Sequence, residues 1–412
     1  MRKKQIAILS TMYYPIMGAP SACIDKYVQA LKDQYDFHII TRNDELYEPN
    51  CNTHDIRYFS SSIHELRKRF ENNINIGRRK ISSKIFLTAI NLYKLVQTQF
   101  RFPSAQYWEI DGYLNALEKL NDEVQLDVVI PVSNNFVTQL AALRFKKHHS
   151  TIKWISFITD PFSENYIYYK YKIFKNFWRN FNLRKEQEIY SDMDYGMFTP
   201  EMYKYVPKVF QIKSEIIFKI DFALSDLNPN KSEEIRSATF CRLIYAGLFY
   251  KEIRNPEFAL KILSQVPDIS FDMYVGKGEC EDIISRYNHQ NFNRSEYVDH
   301  KRYLEMIYHE YDILVNVGNN ATLQAPSKML ELISTGKPII NFYHSKDSQY
   351  EMIEKYPLGL NIGKDDEESV SRVAEFCKKY KGESIAFEEV SALYPENNLE
   401  YQVNILRRLI EQ

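Results

Sequence analysis

Gly318-Asn-Asn-Ala-Thr-Leu-Gln-Ala-Pro-Ser-Lys-Met-Leu-Glu-Leu-Ile-Ser-Thr-Gly-Lys-Pro-Ile-Ile340 reads as one unit with a strand on either side. Asp312-Ile-Leu-Val-Asn-Val317 before it and Pro338-Ile-Ile-Asn-Phe342 at its end are short apolar runs of the buried-strand type. Between them, Pro326 and Ser327 open a helix whose apolar Met329, Leu330 and Ile333 share a face, and Gly336 closes it. Strand, loop, short helix, strand is a βαβ unit, which puts the loop and the helix start at the carboxyl edge of a parallel sheet. Free backbone N–H groups and the helix dipole favour anions there, and Lys328 adds a full charge. Glu331 falls on the same side as Ser327 and Lys328. A carboxylate just behind a phosphate site suits the hydroxyls of a ribose, so the unit reads as a place for a nucleoside diphosphate. The same spacing also describes a well-started helix with an incidental surface glutamate.

The chain has 412 residues, which predicts two domains of about 200 residues rather than one. Hydrophobic residues make up 44% of it, enough for two cores. The mean hydropathy of −0.44 fits a water-soluble chain, and no apolar run approaches the roughly 18 residues of a membrane span. Five cysteines without a C-x-x-C pair point to a reducing compartment and away from a disulfide framework or a zinc site. Arg2-Lys3-Lys4 followed by Ile6-Ala-Ile-Leu9 imitates a signal peptide, but the apolar stretch is shorter than the usual h-region of about 7–15 residues and reads as a first strand. The net charge of −1 hides an asymmetry: through residue 222 there are 31 Lys and Arg against 24 Asp and Glu, and beyond it 22 against 30. The first half is expected to face something negative.

Along the chain, strand Ile6–Ser10, a loop containing Gly18, a helix capped by Ser21 and strand Phe37–Thr41 form a Rossmann-like opening without the three-glycine dinucleotide fingerprint, which weighs against NAD or FAD. Between residues 64 and 102, nine basic residues stand against Glu65 and Glu71, interleaved with apolar and aromatic side chains. A second such patch runs from Tyr166 to Phe181. Basic residues among aromatics suit an interfacial helix on anionic lipid, whereas the alternative is amphipathic helices covering the sheet with their basic faces in water. No nucleic-acid-binding motif accompanies either patch.

Strands Asp127–Pro131 and Trp154–Ile158 follow, the latter ending in Thr159-Asp160-Pro161. An acidic residue at the carboxyl end of an inner strand, before a proline, is a typical catalytic placement, and an Asp capping a turn is the alternative. Strands at Gly196–Thr199 and Ile216–Ile220 close the first domain, taken as 1–224, and the breaker-rich 225–238 is the linker. The second domain, 239–385, opens with strand Arg242–Ala246 and Gly247. Lys251 and Arg254 then precede the helix Glu257–Leu263, where a cation between strand and helix is expected to clamp a diphosphate. Strand Phe271–Val275 ends in Gly276 and Gly278, a glycine pair that says little alone. A charged helix Glu367–Tyr380 completes this domain, and 386–412 carries a last amphipathic helix.

Taken in order, Arg254-Asn255-Pro256, Gly276-Lys-Gly278, His300, Pro326-Ser-Lys328, Glu331 and Gly336-Lys-Pro338 resemble the C-terminal domain of nucleotide-sugar-dependent glycosyltransferases of the GT-B fold, of the bacterial surface-polysaccharide type (group 1, family 4-like). The resemblance implies two Rossmann-like α/β domains facing across a cleft, with the C-terminal helix crossing back to the N-terminal, acceptor-binding domain. It implies that Glu331 holds the donor ribose, that the Ser327–Lys328 turn and Arg254 lie against the diphosphate, and that Val298 and His300 stand near the base. Gly18 resembles the first-loop glycine that approaches the donor phosphate, although Ala19 replaces the second glycine of the pair. Asp160 matches the carboxylate that deprotonates the acceptor in inverting members. Many retaining members carry a glutamate where this chain has Leu323, so neither stereochemical outcome carries over. The expected activity is therefore metal-independent transfer of a sugar, from a UDP-sugar rather than a GDP-sugar, to a lipid-linked or growing surface glycan. No cofactor and no nucleic acid are expected, and the setting is the cytoplasm, peripheral to an anionic membrane. A nucleotide-sugar epimerase of the same fold and a non-catalytic nucleotide-sugar-binding subunit are the rival readings.

Overall fold

A computed structural model describes residues 2–13, 17–42, 55–59, 62–76, 79–103, 106–132, 136–165, 169, 173–229, 240–287, 289–320, 323 and 328–412. Ser327 and Pro326 lie outside the described residues. The chain divides into two units: residues 1–221 with 402–412, and residues 222–401.

Unit 1 runs β1 (Gln5–Ser10), α1 (Ala19–Leu31), β2 (Asp36–Arg42), β3 (Asp55–Phe59), α2 (Ser62–Asn75), α3 (Lys80–Phe100), α4 (Ile110–Val124), β4 (Val128–Pro131), α5 (Val137–His148), β5 (Lys153–Ile158), α6 (Lys175–Asp192), β6 (Tyr195–Phe198), α7 (Pro200–Phe210) and β7 (Ile217–Lys219). Its seven strands are ordered β3-β2-β1-β4-β5-β6-β7 and every pairing is parallel. Strands buried on both faces must be apolar throughout, as Ile6-Ala-Ile-Leu9 and Val128-Val-Ile130 are. Helix α1 begins at Ala19 with Gly18 as its N-cap, three residues before the expected cap Ser21. The Ser21 hydroxyl instead meets that of Ser10 at 2.7 Å, tying α1 to the end of β1.

Unit 2 runs β8 (Cys241–Ala246), α8 (Glu257–Leu263), β9 (Ile269–Tyr274), α9 (Glu281–Arg286), β10 (Phe292–Ser295), α10 (His300–His309), β11 (Ile313–Val317), α11 (Lys328–Ser334), β12 (Ile339–Tyr343), α12 (Ser348–Lys355), β13 (Gly359–Gly363), α13 (Ser369–Tyr380) and α14 (Phe387–Leu393). The order is β10-β9-β8-β11-β12-β13, again wholly parallel. In both sheets the winding reverses beside the first strand, between β1 and β4 and between β8 and β11. Helices diverge at such a point and leave a crevice at the carboxyl ends of the strands, which is where ligands of open α/β sheets bind.

The last helix, α15 (Leu399–Glu411), begins in unit 2 and ends in unit 1, where Gln402 Oε1 accepts from Tyr27 of α1 at 3.2 Å and Glu411 from Tyr35 at 2.7 Å. Gly336, which ends α11, holds φ +71°, and a Cβ there would meet the Ile385 carbonyl oxygen at 1.9 Å. Only glycine fits that stop.

A ladder of amides crosses the second sheet in register. Asn316 of β11 donates to Asn341 of β12 at 2.8 Å, and Asn341 donates to Asn361 of β13 at 2.8 Å. Asn341 is 1% exposed, so its loss leaves the buried Asn316 amide with Gln349, at 3.2 Å, as its remaining acceptor and takes a donor from the half-buried Asn361. Asn341→Val is expected to lower the unfolding free energy by about 1–2 kcal/mol, read from the urea midpoint of the full chain.

Candidate functional site

At the switch point of unit 2 the two sides of the crevice are joined by side chains. From the β8 side come Gly247, held at φ +151°, and Arg254 in the turn closed by the Tyr250–Arg254 bridge. From the β11 side come Asn319, two residues past the strand, and Lys328 at the start of α11. Arg254 Nε donates to Asn319 Oδ1 at 2.9 Å, and the Lys328 ammonium donates to the Ala246 carbonyl at the end of β8. The same ammonium stands 4.6 Å above the ring of Tyr303 in α10.

Beside it, Glu331 Oε2 lies 3.0 Å from His300 Nε2. His300 is the first residue of α10, which Asp299 caps by accepting from the Arg302 backbone N–H at 3.0 Å. Thus Arg254, Lys328, Glu331 and His300, four residues singled out in the sequence, converge on one crevice.

Its electrostatics are those of buried cations set beside a carboxylate. Burial brings Lys328 down to about 8, because a desolvated ammonium is costly; the Glu331 carboxylate pulls the other way and Arg254 adds to the depression. His300 is raised above its ordinary value, chiefly by its hydrogen bond to Glu331. Burial, with Glu331 close by, pushes the Tyr303 phenol well above its usual range. Tyr245 is pushed up to about 12 by burial, against the pull of Arg254. Two cations and a carboxylate held this way match the charge pattern of a diphosphate joined to a ribose.

The remaining expected residues sit less centrally. Lys251 is exposed and pairs with Asp282 at 2.8 Å, so its charge is engaged outside this group. Gly276 ends the β9 turn, where a Cβ would meet the Tyr297 ring at 2.5 Å. Val298 is partly buried against the cluster that holds Tyr303. Gly18 is the N-cap of α1 with an extended backbone, at φ −76°. Asn319 and Tyr303 were not anticipated. The one available signal was Asn319, a polar residue placed two residues after an inner strand.

In unit 1, Asp160 follows β5 at the carboxyl edge of the sheet. Its carboxyl accepts a hydrogen bond from the Thr159 hydroxyl at 3.2 Å, and burial raises it to about 6. The turn after it is pinned from α6 by Glu186, which accepts from the backbone N–H groups of Phe162 at 2.9 Å and Ser163 at 3.1 Å, from the Ser163 hydroxyl and from Tyr190 at 3.1 Å. Burial pushes the Glu186 carboxyl up, opposed by these donors. Glu186 was legible in principle: it lies on the same helical face as Ile189, Tyr190 and Met193, where a carboxylate needs a reason to be. Asp192-Met193-Asp194 has the Asp-x-Asp spacing of metal sites, but Asp194 accepts from Trp154 N–H and from Lys146, each at 2.7 Å, and so serves the fold.

No family model matches the chain, and no curated protein does. Among solved structures it is similar to the lipopolysaccharide outer core galactosyltransferase WaaB in its apo form, with a TM-score of 0.63 at 10% identity over 99% of both chains. It is similar to Anabaena HepE in complex with UDP and glucose, with a TM-score of 0.63 at 10% identity over 99% of this chain and 100% of that one. It is also similar to UDP-GlcNAc 2-epimerase from Neisseria meningitidis bound to UDP-GlcNAc, with a TM-score of 0.53 at 9% identity over 99% of both chains. At these identities the likeness is one of fold, and the fold is GT-B, with two parallel Rossmann-like sheets and a C-terminal helix returning to α1.

Proposed function

We propose that this chain is a glycosyltransferase that moves a hexosyl unit from a nucleotide-sugar, a UDP-sugar in preference to a GDP-sugar, to a hydroxyl of a lipid-linked or growing surface glycan. The reaction proceeds without a metal, in the cytoplasm at the inner face of the plasma membrane. The observation that carries the reading is the convergence of Arg254, Lys328, Glu331 and His300 on the switch point of unit 2. In this reading Arg254 and Lys328 meet the diphosphate, and their fixed positive charge stabilises it as it departs. Glu331 accepts hydrogen bonds from the ribose, with His300 orienting its carboxylate. Asp160 takes the proton of the acceptor hydroxyl. The UDP complex of HepE supports the choice of nucleotide.

Thermal unfolding with UDP, GDP, ADP, CMP and TDP tests the donor half of this reading. UDP at a hundredfold excess over its Kd is expected to add about 2.7 kcal/mol. Glu331→Ala is expected to weaken UDP by about tenfold to a hundredfold, the value of hydrogen bonds to a charged group. Stabilisation by none of the five nucleotides would remove the reading. The likeness to the epimerase favours a second one, in which the same donor is consumed without an acceptor; product analysis of donor incubated with enzyme alone separates the two.

A further inference from the structure

Helix α3 turns its apolar side the wrong way for a helix that covers a sheet. Ile81, Ile85, Leu92, Val96 and Phe100 recur at helical spacing, and each is between 46% and 78% exposed. The inner side of the helix is marked by buried Ser83 and half-buried Leu87, Ile90 and Lys94. Its main packing partner is α2, through stacked Phe70 and Phe86 at 4.7 Å. The alternative reading, in which these helices cover the sheet with their apolar faces, therefore fails for α3.

The stripe continues onto a second element. Phe100 touches Trp178 of α6, with ring centroids 6.2 Å apart, and just beyond are Ile173, Phe174 and Phe177, between 63% and 79% exposed. Monomeric proteins seldom leave joined apolar surface of this kind in water unless something covers it.

Charge identifies the cover. Helix α3 contains no Asp or Glu across its 21 residues. Arg79, Lys80 and Lys84 at one end of the stripe, and Lys175 at the other, have no acidic partner among the described residues. A second copy of the chain docked on this face by a two-fold axis would set basic residues against basic residues with no acid between them. An anionic bilayer meets both demands, taking the apolar side chains among the acyl chains and the cations among the headgroups. We propose that the outer face of α3, continued by the N-terminal end of α6, is a membrane-docking surface that lies in the plane of an anionic lipid interface. The surface stands on these observations whatever sugar the chain transfers.

The test is flotation of the full chain with phosphatidylcholine vesicles containing about 30% phosphatidylglycerol, and with phosphatidylcholine alone, at roughly 0.15 M salt. The chain is expected to float with the anionic vesicles only. Lys80→Glu and Lys84→Glu should each weaken partitioning by about fivefold or more, since each removes at least one interfacial cation. Ile85→Glu with Leu92→Glu should weaken it by about a hundredfold or more. All four positions are exposed, so thermal unfolding should be unchanged and a folding defect can be told from a docking defect. Absence of flotation on anionic vesicles would overturn the proposal. So would a concentration-dependent dimer that survives excess vesicles and is broken by Ile85→Glu with Leu92→Glu, because a second copy would then be the cover.

Discussion

Asp160→Asn is expected to slow sugar transfer by about 10²–10⁴-fold, the usual worth of a general base, with little change in UDP affinity. It is also expected to raise stability. The carboxyl titrates near 6 in the folded chain against an ordinary 3.8, so the fold prefers its protonated form. A raised carboxyl contributes stability that is present below its unfolded value and is lost as pH rises through the folded one. At neutral pH the ionised group therefore costs about 1–2 kcal/mol, which the uncharged amide avoids. Unfolding midpoints should show the wild type losing stability between pH about 4 and 6 relative to Asp160→Asn. Transfer by the wild type should rise over the same interval as the base ionises. A variant both more stable and far slower would mark a carboxylate kept for chemistry. If it unfolds more easily and transfers at the normal rate, Asp160 is a turn-capping residue.

That Asp160 could be singled out at all follows from how parallel sheets write themselves into sequence. Ile6–Leu9, Val128–Ile130 and Ile313–Val315 are buried on both faces, so their apolar runs are unbroken and the strands can be read off directly. Edge and peripheral strands lack that signal. β3 keeps Asp55 and Arg57 in an exposed or half-buried row, β10 buries only Phe292, and β13 begins and ends in glycine. None has a pattern that distinguishes it from a loop.

The site divides in the same way. Lys328 and Glu331 are close in sequence and share a helix, so their partnership is local and legible. Arg254 with Asn319, and Lys328 over Tyr303, are made by topology alone, when the winding reverses between β8 and β11. Lys251 and Arg254 look alike in sequence, yet Asp282 of α9 draws Lys251 to the surface. Helix α3 shows the limit most clearly: its period reveals an apolar stripe, but nothing local says whether that stripe faces protein or water.

Lys328→Met is expected to weaken UDP binding by about a hundredfold while making the unliganded chain more stable by about 1–2 kcal/mol. Both effects come from the same burial. The ammonium sits between the Ala246 carbonyl and the Tyr303 ring, and its titration near 8 instead of 10.5 means that the fold penalises the charged form. For a group lowered in the folded state, stability is present above its unfolded value and lost as pH falls through the folded one. At neutral pH the whole penalty is in force, and methionine, of similar length and without charge, lifts it. A bound diphosphate reverses the balance by supplying the opposite charge at close range, which moves the ammonium back toward its ordinary value. Binding must then take up a proton whenever the free enzyme has released it. UDP affinity should fall by up to tenfold per unit as pH rises above about 8, and calorimetry in buffers of different ionisation enthalpy should register the proton taken up there. In Lys328→Met both the slope and the proton uptake should vanish. A slope that survives the substitution would assign the titration to another group and take the diphosphate away from Lys328.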